Sequence, residues 1–472
     1  MAVKHPERAP SPEHESQPRP LLGLRDAVAL IVGVVIGAGI FKSPAIVAGM
    51  SGSAGWMFAA WALGGIISLI GALCYAELST SYPSAGGDYH FLHRAYGRSV
   101  AFLFGWARFT VITTGSIALL AFVFGDYMQQ AVPLSFLPAG WGAPAYAAAV
   151  IVVLSLLNLH GIRSGAFAQT WLTLAEVGGL VLIAAAAAFF TGQAPAPPPH
   201  GPTAPASFGL AMVFVLLTFG GWNEAAYISA EVRDGRHNMV KALTLSILII
   251  TVLYLLVNWG YWKTLGMQGM AKSDALAADV MRRAFGPAGE KIIALLVAVS
   301  ALTSINATMI VGARTGYAMG RDWQLLRRLG LWDGERGTPA VAMLIQCAAA
   351  LLLVGVGVAA GSGFKAMVEF TAPVFWLFFL LTGIALFVLR RREPATHRPF
   401  EVPLFPLLPL LFCASCAYML WSSLSYVYSQ SLGGLNAAWI GVAVLAFGLL
   451  LLFLLRRSAD QEKPSVISFE SK

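Results

Sequence analysis

The sequence predicts an all-α protein that crosses a membrane many times. Three observations carry that prediction. Of the 472 residues, 57% are hydrophobic and 11% charged, where soluble domains carry about 25% charged residues. The apolar residues fall into charge-poor runs long enough to cross ~30 Å of hydrocarbon. Two of those runs are interrupted near their middle by glycines.

In order, the runs are 24–52, 55–82, 99–129, 141–160, 166–191, 207–231, 239–262, 287–319, 339–360, 364–389, 402–425 and 433–455, twelve in all. Each supplies the ~20 mainly apolar residues that a helical crossing needs. Residues 1–23 are polar and Pro-rich, with neither an apolar h-region nor a small-residue cleavage site, so they read as a disordered tail rather than a removable signal. Residues 457–472 read as a second polar tail. An even number of crossings puts both termini on one side, and the Lys and Arg residues decide which. The terminal-side loops and tails hold Arg390, Arg391, Arg392, Arg456 and Arg457 among many others, whereas the connections 133–141 and 192–205 hold none. Both termini are therefore expected in the cytoplasm, with the protein in the plasma or inner membrane. The net charge of +8 becomes a topology signal and no argument for nucleic-acid binding.

Cys74, Cys347, Cys413 and Cys416 all lie inside apolar runs, where cysteine behaves as a small hydrophobe. The C-x-x-C spacing of the last two lacks a second pair or histidine partners for a closed metal site, so no metal or cofactor is expected. Nor does the chain carry H-E-x-x-H, G-x-S-x-G or a phosphate loop, and an enzyme is not expected. The loop Lys263–Lys291, Ala-rich between Gly266 and Gly286-Pro287, reads either as a helical hairpin lying over the outer mouth or as a plain connector.

The interruptions are Gly37-Ala38-Gly39 in the first run and Gly220-Gly221 in the sixth. At ~1.5 Å per residue both lie ~20 Å along their runs, near mid-bilayer. Unwound backbone is tolerated there only where protein or a polar cavity satisfies it. Broken segments at corresponding places in two halves of a chain point to a secondary transporter built from inverted repeats. A half-helix beginning at Gly39 aims N–H groups and a positive dipole end into the cavity, which suits a carboxylate, and exposed carbonyls suit an ammonium.

The run Gly33-Val34-Val35-Ile36-Gly37-Ala38-Gly39-Ile40-Phe41 with Ser43-Pro44 resembles the first-helix signature of the amino acid-polyamine-organocation (APC) transporters. Phe219-Gly220-Gly221-Trp222-Asn223, ending in Glu231, resembles the sixth-helix signature of the L-type branch of that superfamily. Cys74-Tyr75-Ala76-Glu77-Leu78 with Gly86-Gly87-Asp88-Tyr89, and Asn306 with Arg314, resemble its second and eighth helices. The resemblance implies a LeuT-like fold: five helices (24–192), five inverted helices (207–390), and two more (402–456). It also implies an amino acid permease working by alternating access. Proton-coupled symport of neutral amino acids is the first expectation, and exchange of amino acids, or of amino acid for polyamine, the alternative. Substrate is then expected at Val35, Ile36, Gly37, Ala38 and Gly39 and at Leu217, Thr218, Phe219 and Gly220. Glu224 either faces a cationic side chain or meets the cytoplasmic gate.

Two positions depart from the L-type pattern. Leu217 stands where relatives carry an aromatic gate, so Phe219 or Phe214 is expected to gate instead. Glu176 stands where many relatives carry a lysine that replaces a sodium ion. A carboxylate near mid-bilayer costs ~2.5–3.5 kcal/mol on the insertion scale, so it needs a partner or a proton. The readings are a structural pair with Arg108, a proton carried with substrate, or a sodium site shared with Thr303 and Ser304. Asp88, His90, His93 and Arg94 read as a hydrated loop. No cysteine stands in an outer loop to tether a single-span partner, so no required protein partner is expected.

Overall fold

The computed structural model describes residues 23–461 except 85, 161–165, 191–207, 233–234, 324–325, 334–337 and 430–436. The two expected tails and the 192–205 connection lie almost wholly outside them. A chain this apolar must satisfy its backbone internally, and it does so with helices. An isolated β-bridge joins Asp333 and Thr338.

The first run is split, as its glycines require, into α1 (Leu24–Val35), a 3-10 turn (Ala38–Phe41) and α2 (Ser43–Ser51). Gly52, in the left-handed region at φ 68°, ends α2. The Ser53 hydroxyl then accepts from Trp56 N–H to cap α3 (Ala54–Ser81). A loop helix α4 (Gly87–Tyr96) leads to the third span, built from α5 (Arg98–Ala107), a π-turn (Arg108–Ile112) and α6 (Thr113–Ala131). Next come α7 (Gly142–Leu159) and α8 (Ala166–Phe189). The second broken span follows as α9 (Phe208–Thr218) and a 3-10 segment (Trp222–Glu231). The remaining helices are α10 (Gly235–Lys272), α11 (Leu276–Asp322), α12 (Ala340–Ala359), α13 (Gly363–Arg392), α14 (Leu407–Ser429) and α15 (Ala437–Gln461).

Among the described residues nine helices are long and apolar enough to cross a membrane. Three of the twelve expected crossings fall outside that count. The first is cut by its break, and the described apolar parts of the fifth and last, Thr173–Phe189 and Trp439–Leu454, are shorter. The Lys263–Lys291 loop folds as a helical hairpin, because non-helical backbone at Gly266 and Gly286 (φ 67° in both) sets it off from the long helices on either side.

The apolar core falls into two clusters. One unites α1, α2, α3, α9 and α10; the other unites α5, α7 and α12; α6, α11 and α13 contribute to both. Small residues let helices close up within these bodies. A Cβ on Gly33 would stand 2.3 Å from the Thr173 hydroxyl of α8, the close approach by which membrane helices gain dispersion contacts.

Candidate functional site

Both breaks face one cavity of about 440 Å³, in the size range of a small-molecule site. In the first break the helix ends at Val35. Gly37 is extended (φ −110°, ψ −170°), and the N–H groups of Ala38 and Gly39 open the 3-10 turn, so they have no partner within it. In the second, Gly221 adopts φ 108°, a conformation open to glycine at little cost. The ten-residue 3-10 segment beyond it is far longer than such helices usually run, a mark of a hinge or functional site.

Tyr254 of α10 ties the breaks together. Its buried hydroxyl lies 3.0 Å from the Val35 carbonyl and 3.1 Å from the Thr218 carbonyl, the last helical residues before each interruption. The Thr218 hydroxyl is 2.7 Å from both the Ser43 hydroxyl and the Phe214 carbonyl, adding a second link between the broken spans. Neither this tyrosine nor its role was legible from the motifs.

Of the expected substrate residues, Val35, Gly37, Ala38, Gly39, Leu217, Thr218, Gly220 and Glu224 line the cavity. Ile36 and Phe219 do not line it, and their side chains are fully buried. The opposite wall comes from the third span (Phe104, Arg108, Ile112, Thr113, Ser116), from α11 (Ser304, Ala307, Thr308) and from α13 (Thr371, Phe375, Phe378, Phe379). It is apolar with scattered hydroxyls, several of which bond back to their own helix: Thr308 donates to Ser304 O at 2.8 Å and Thr371 to Met367 O at 3.0 Å.

Four expectations need correction. Arg108 and Glu176 do not pair: Arg108 Nη2 contacts both Glu224 carboxylate oxygens, at 3.1 and 3.0 Å, across the cavity. Depth along the helix made the Glu176 pairing conceivable, but Arg108, at the start of the π-turn, lines the cavity, and Glu176 does not. Glu176 accepts a short hydrogen bond from Ser300 of α11, and its second oxygen has no hydrogen-bond partner among the described residues. Nor do Phe219 and Phe214 line the cavity. Phe219 is buried against Trp61 and Tyr254 (centroids 6.1 and 4.9 Å away) and Phe214 against Phe364, so the rings at the cavity are Phe104, Phe375, Phe378 and Phe379. Asp88 is no hydrated loop residue. It is 3% exposed, lines the cavity floor, and accepts from the Tyr75 hydroxyl at 2.6 Å. Burial pushes its carboxyl up to about 6, against the smaller opposing pull of the Tyr75 bond. The suggested sodium pair diverges: Ser304 faces the cavity, while Thr303 donates to Ser300 O at 2.8 Å.

Glu77 is buried (1% exposed), not in reach of water. Arg390 grips both of its oxygens at 2.6 and 2.5 Å, and Val402 N–H donates to it at 2.7 Å. All four cysteines are free, and the described residues hold no cluster of three potential metal ligands.

Two broken helices closing on one small cavity within a bundle of membrane-length helices define a membrane protein of the discontinuous-helix kind. Residues 22–457 match the family model described as amino acid permease. The chain is 30% identical to the b(0,+)-type amino acid transporter 1 of Mus musculus over 83% of this chain and 80% of that one. It is 28% identical to the Asc-type amino acid transporter 1 of Mus musculus over 92% and 80%, and 28% identical to the serine/threonine exchanger SteT of Bacillus subtilis over 85% and 91%. The chain belongs to the amino acid permease family of the APC superfamily.

Proposed function

We propose that the protein is a secondary transporter of neutral amino acids that works by alternating access in the cytoplasmic membrane, with both termini cytoplasmic. Its twelve crossings follow the LeuT-like plan, with repeats 24–192 and 207–390 and two added helices in 402–456. The observation that carries the reading is the position of the cavity. It is walled on one side by both breaks, whose buried residues pack in one core cluster, and on the other by the third span, whose buried residues up to Phe122 pack in the second cluster while Val123, Tyr127 and Ala131 join the first. Rocking one packed body against the other then exposes the same site to either side.

The substrate class follows from charge. An α-amino acid brings a carboxylate for the N–H groups at Ala38–Gly39 and an ammonium for carbonyls at Leu217–Gly220, so backbone alone recognises it. Of the carboxylates lining the cavity, Glu224 is held by Arg108 and Asp88 by Tyr75. The ion pair compensates Glu224, and the largely apolar wall favours neutral over cationic side chains. The hydroxyls of Thr113, Ser116, Ser304, Thr308 and Thr371 fit small apolar or hydroxylated side chains.

For coupling, the first reading is symport with a proton carried by Glu176. Its unpartnered buried oxygen is what supports it, since a lone carboxylate in the membrane is costly and protonation relieves that cost. The second reading is exchange without an ion, supported by the likeness to a serine/threonine exchanger. Uptake of labelled amino acids into proteoliposomes separates them, with and without an inward proton gradient and with and without amino acid inside. Gradient-driven accumulation that Glu176→Gln abolishes supports symport. Uptake that requires internal amino acid and ignores the gradient refutes symport in favour of exchange, and no uptake of any amino acid overturns the transport reading.

A further inference from the structure

We propose that Lys42 and Asp126 are positioning residues of the transport cycle. Together they close the cavity on the side opposite the termini by pinning the half-helix after the first break to the third span and to the 266–286 hairpin. The proposal rests on the alternating-access reading and deepens it.

Lys42 directly follows the 3-10 turn and stands at the N-cap of α2. A positive charge there opposes the helix dipole, and the side chain is 12% exposed, so it needs an anionic partner from elsewhere. Asp126 of α6 supplies one at 2.6 Å. The Lys42 ammonium also donates to the Asp274 carbonyl at 2.8 Å, within the hairpin, and lies 3.8 Å from the Asp274 carboxylate. The adjacent residues repeat the same three-way contact. The Tyr127 hydroxyl donates to the Phe41 carbonyl at 3.0 Å and accepts from Ala277 N–H at 3.4 Å. Two successive residues of the broken helix are thus fastened to two successive residues of α6 and to the hairpin.

The second broken span carries a counterpart. Lys42 stands three residues beyond Gly39, and Glu224 stands three beyond Gly221. The partner of each lies on the same span, Arg108 for Glu224 and Asp126 for Lys42, about 18 residues or ~27 Å apart at helical rise. The polarities are opposite, cation on the first half-helix and anion on the second. The Arg108–Glu224 pair lines the cavity, whereas neither Lys42 nor Asp126 does. The cavity therefore ends short of the Lys42–Asp126 pair, where a closed gate belongs, and releasing that pair frees α2 to part from α6 and the hairpin.

The test uses the full chain with its four cysteines replaced by alanine and a single reporter, Ser116→Cys, in the cavity wall. A membrane-impermeant methanethiosulfonate ethyltrimethylammonium reagent is applied from the side opposite the termini. Labelling is expected to be slow in this parent and at least roughly tenfold faster in Lys42→Met and in Asp126→Asn, the loss expected for a charged hydrogen bond. The conservative variant Lys42→Arg, which keeps a cation facing both Asp126 and Asp274, should keep labelling slow. Rates within about twofold of the parent in both single variants overturn the proposal. So does a Lys42→Arg variant as fast as Lys42→Met, since that assigns the effect to local disruption. Asp126→Asn preserves shape, so the pair is tested even where Lys42→Met fails to fold. Labelling reports the gate without any transport, and uptake is measured on the unaltered chain, where its absence counts against the transport reading and leaves the labelling to judge the latch.

Discussion

Removing one oxygen atom, by Tyr254→Phe, should loosen both breaks at once. The phenol ring is fully buried and packs against Trp61 (5.7 Å) and Phe219 (4.9 Å), so phenylalanine keeps the packing and loses the hydroxyl alone. That hydroxyl lies within hydrogen-bond distance of two carbonyls, Val35 O and Thr218 O, each at the end of a helix whose continuation is broken. Hydrogen bonds between membrane helices average ~0.6 kcal/mol and reach ~1.7; a buried carbonyl left without its partner costs ~1–3 kcal/mol. With two carbonyls sharing one donor, the variant should lose ~1–3 kcal/mol. If the two breaks form the binding site, that loss falls on the geometry that receives the α-amino and α-carboxyl groups, and amino acid affinity drops roughly 5- to 150-fold. Amino acid binding is measured on detergent-purified protein by isothermal titration, with Tm followed alongside. Affinity within about twofold of the parent together with an unchanged Tm would refute the claim that this hydroxyl holds the breaks.

Other outcomes follow from the same geometry. A Cβ at Gly37 meets nothing within 4 Å, so the side chain of Gly37→Leu projects into open cavity; it should abolish amino acid binding and leave the elution profile of a folded protein, and normal affinity would sink the site assignment. Burial raises the Asp88 carboxyl from 3.8 to about 6, so the native state holds this proton more tightly than the unfolded chain. Stability from this group is then full below about pH 4 and lost as pH rises to about 6; Asp88→Asn should flatten the pH dependence of Tm across that window, and an unaltered profile argues against it. Glu77→Gln leaves Arg390 without its bidentate carboxylate and should cost about 3–5 kcal/mol, read as a large fall in Tm, the penalty for breaking a buried pair from one side.

The parts legible in the sequence were those with a local signature. The glycines at 37, 39, 220 and 221 announce the breaks because unwound backbone in a membrane needs residues that tolerate it, and Gly266 and Gly286 mark the hairpin for the same reason. What escaped depends on contacts between distant segments. Nothing in the residues around Arg108 reveals that a π-turn carries it to Glu224 rather than to Glu176. Asp88 sits in a polar stretch that reads as a loop, and only the packing of Tyr75 and Thr382 around it turns it into a buried cavity residue. Phe219 looks like a gate by its place in the motif, yet its ring is drawn into the aromatic cluster of Trp61 and Tyr254. The usable signal for Lys42 was electrostatic: a lysine at the start of a membrane half-helix is unfavourable alone, and such a residue asks for its counter-ion.

If the substrate is a neutral amino acid, as proposed, these contacts let charge within the protein coexist with it. Backbone dipoles at the breaks can meet both charges of a zwitterion without adding net charge to the site. The side-chain charges bordering that site are cancelled locally, Arg108 by Glu224, and those at its far end likewise, Lys42 by Asp126. A site so neutralised is indifferent to the sum of charges and responsive to where they lie, since each pair bridges a half-helix and the third span. The same side chains therefore screen the substrate and report the position of the half-helices, and reversing one pair should alter gating before it alters which amino acid is bound.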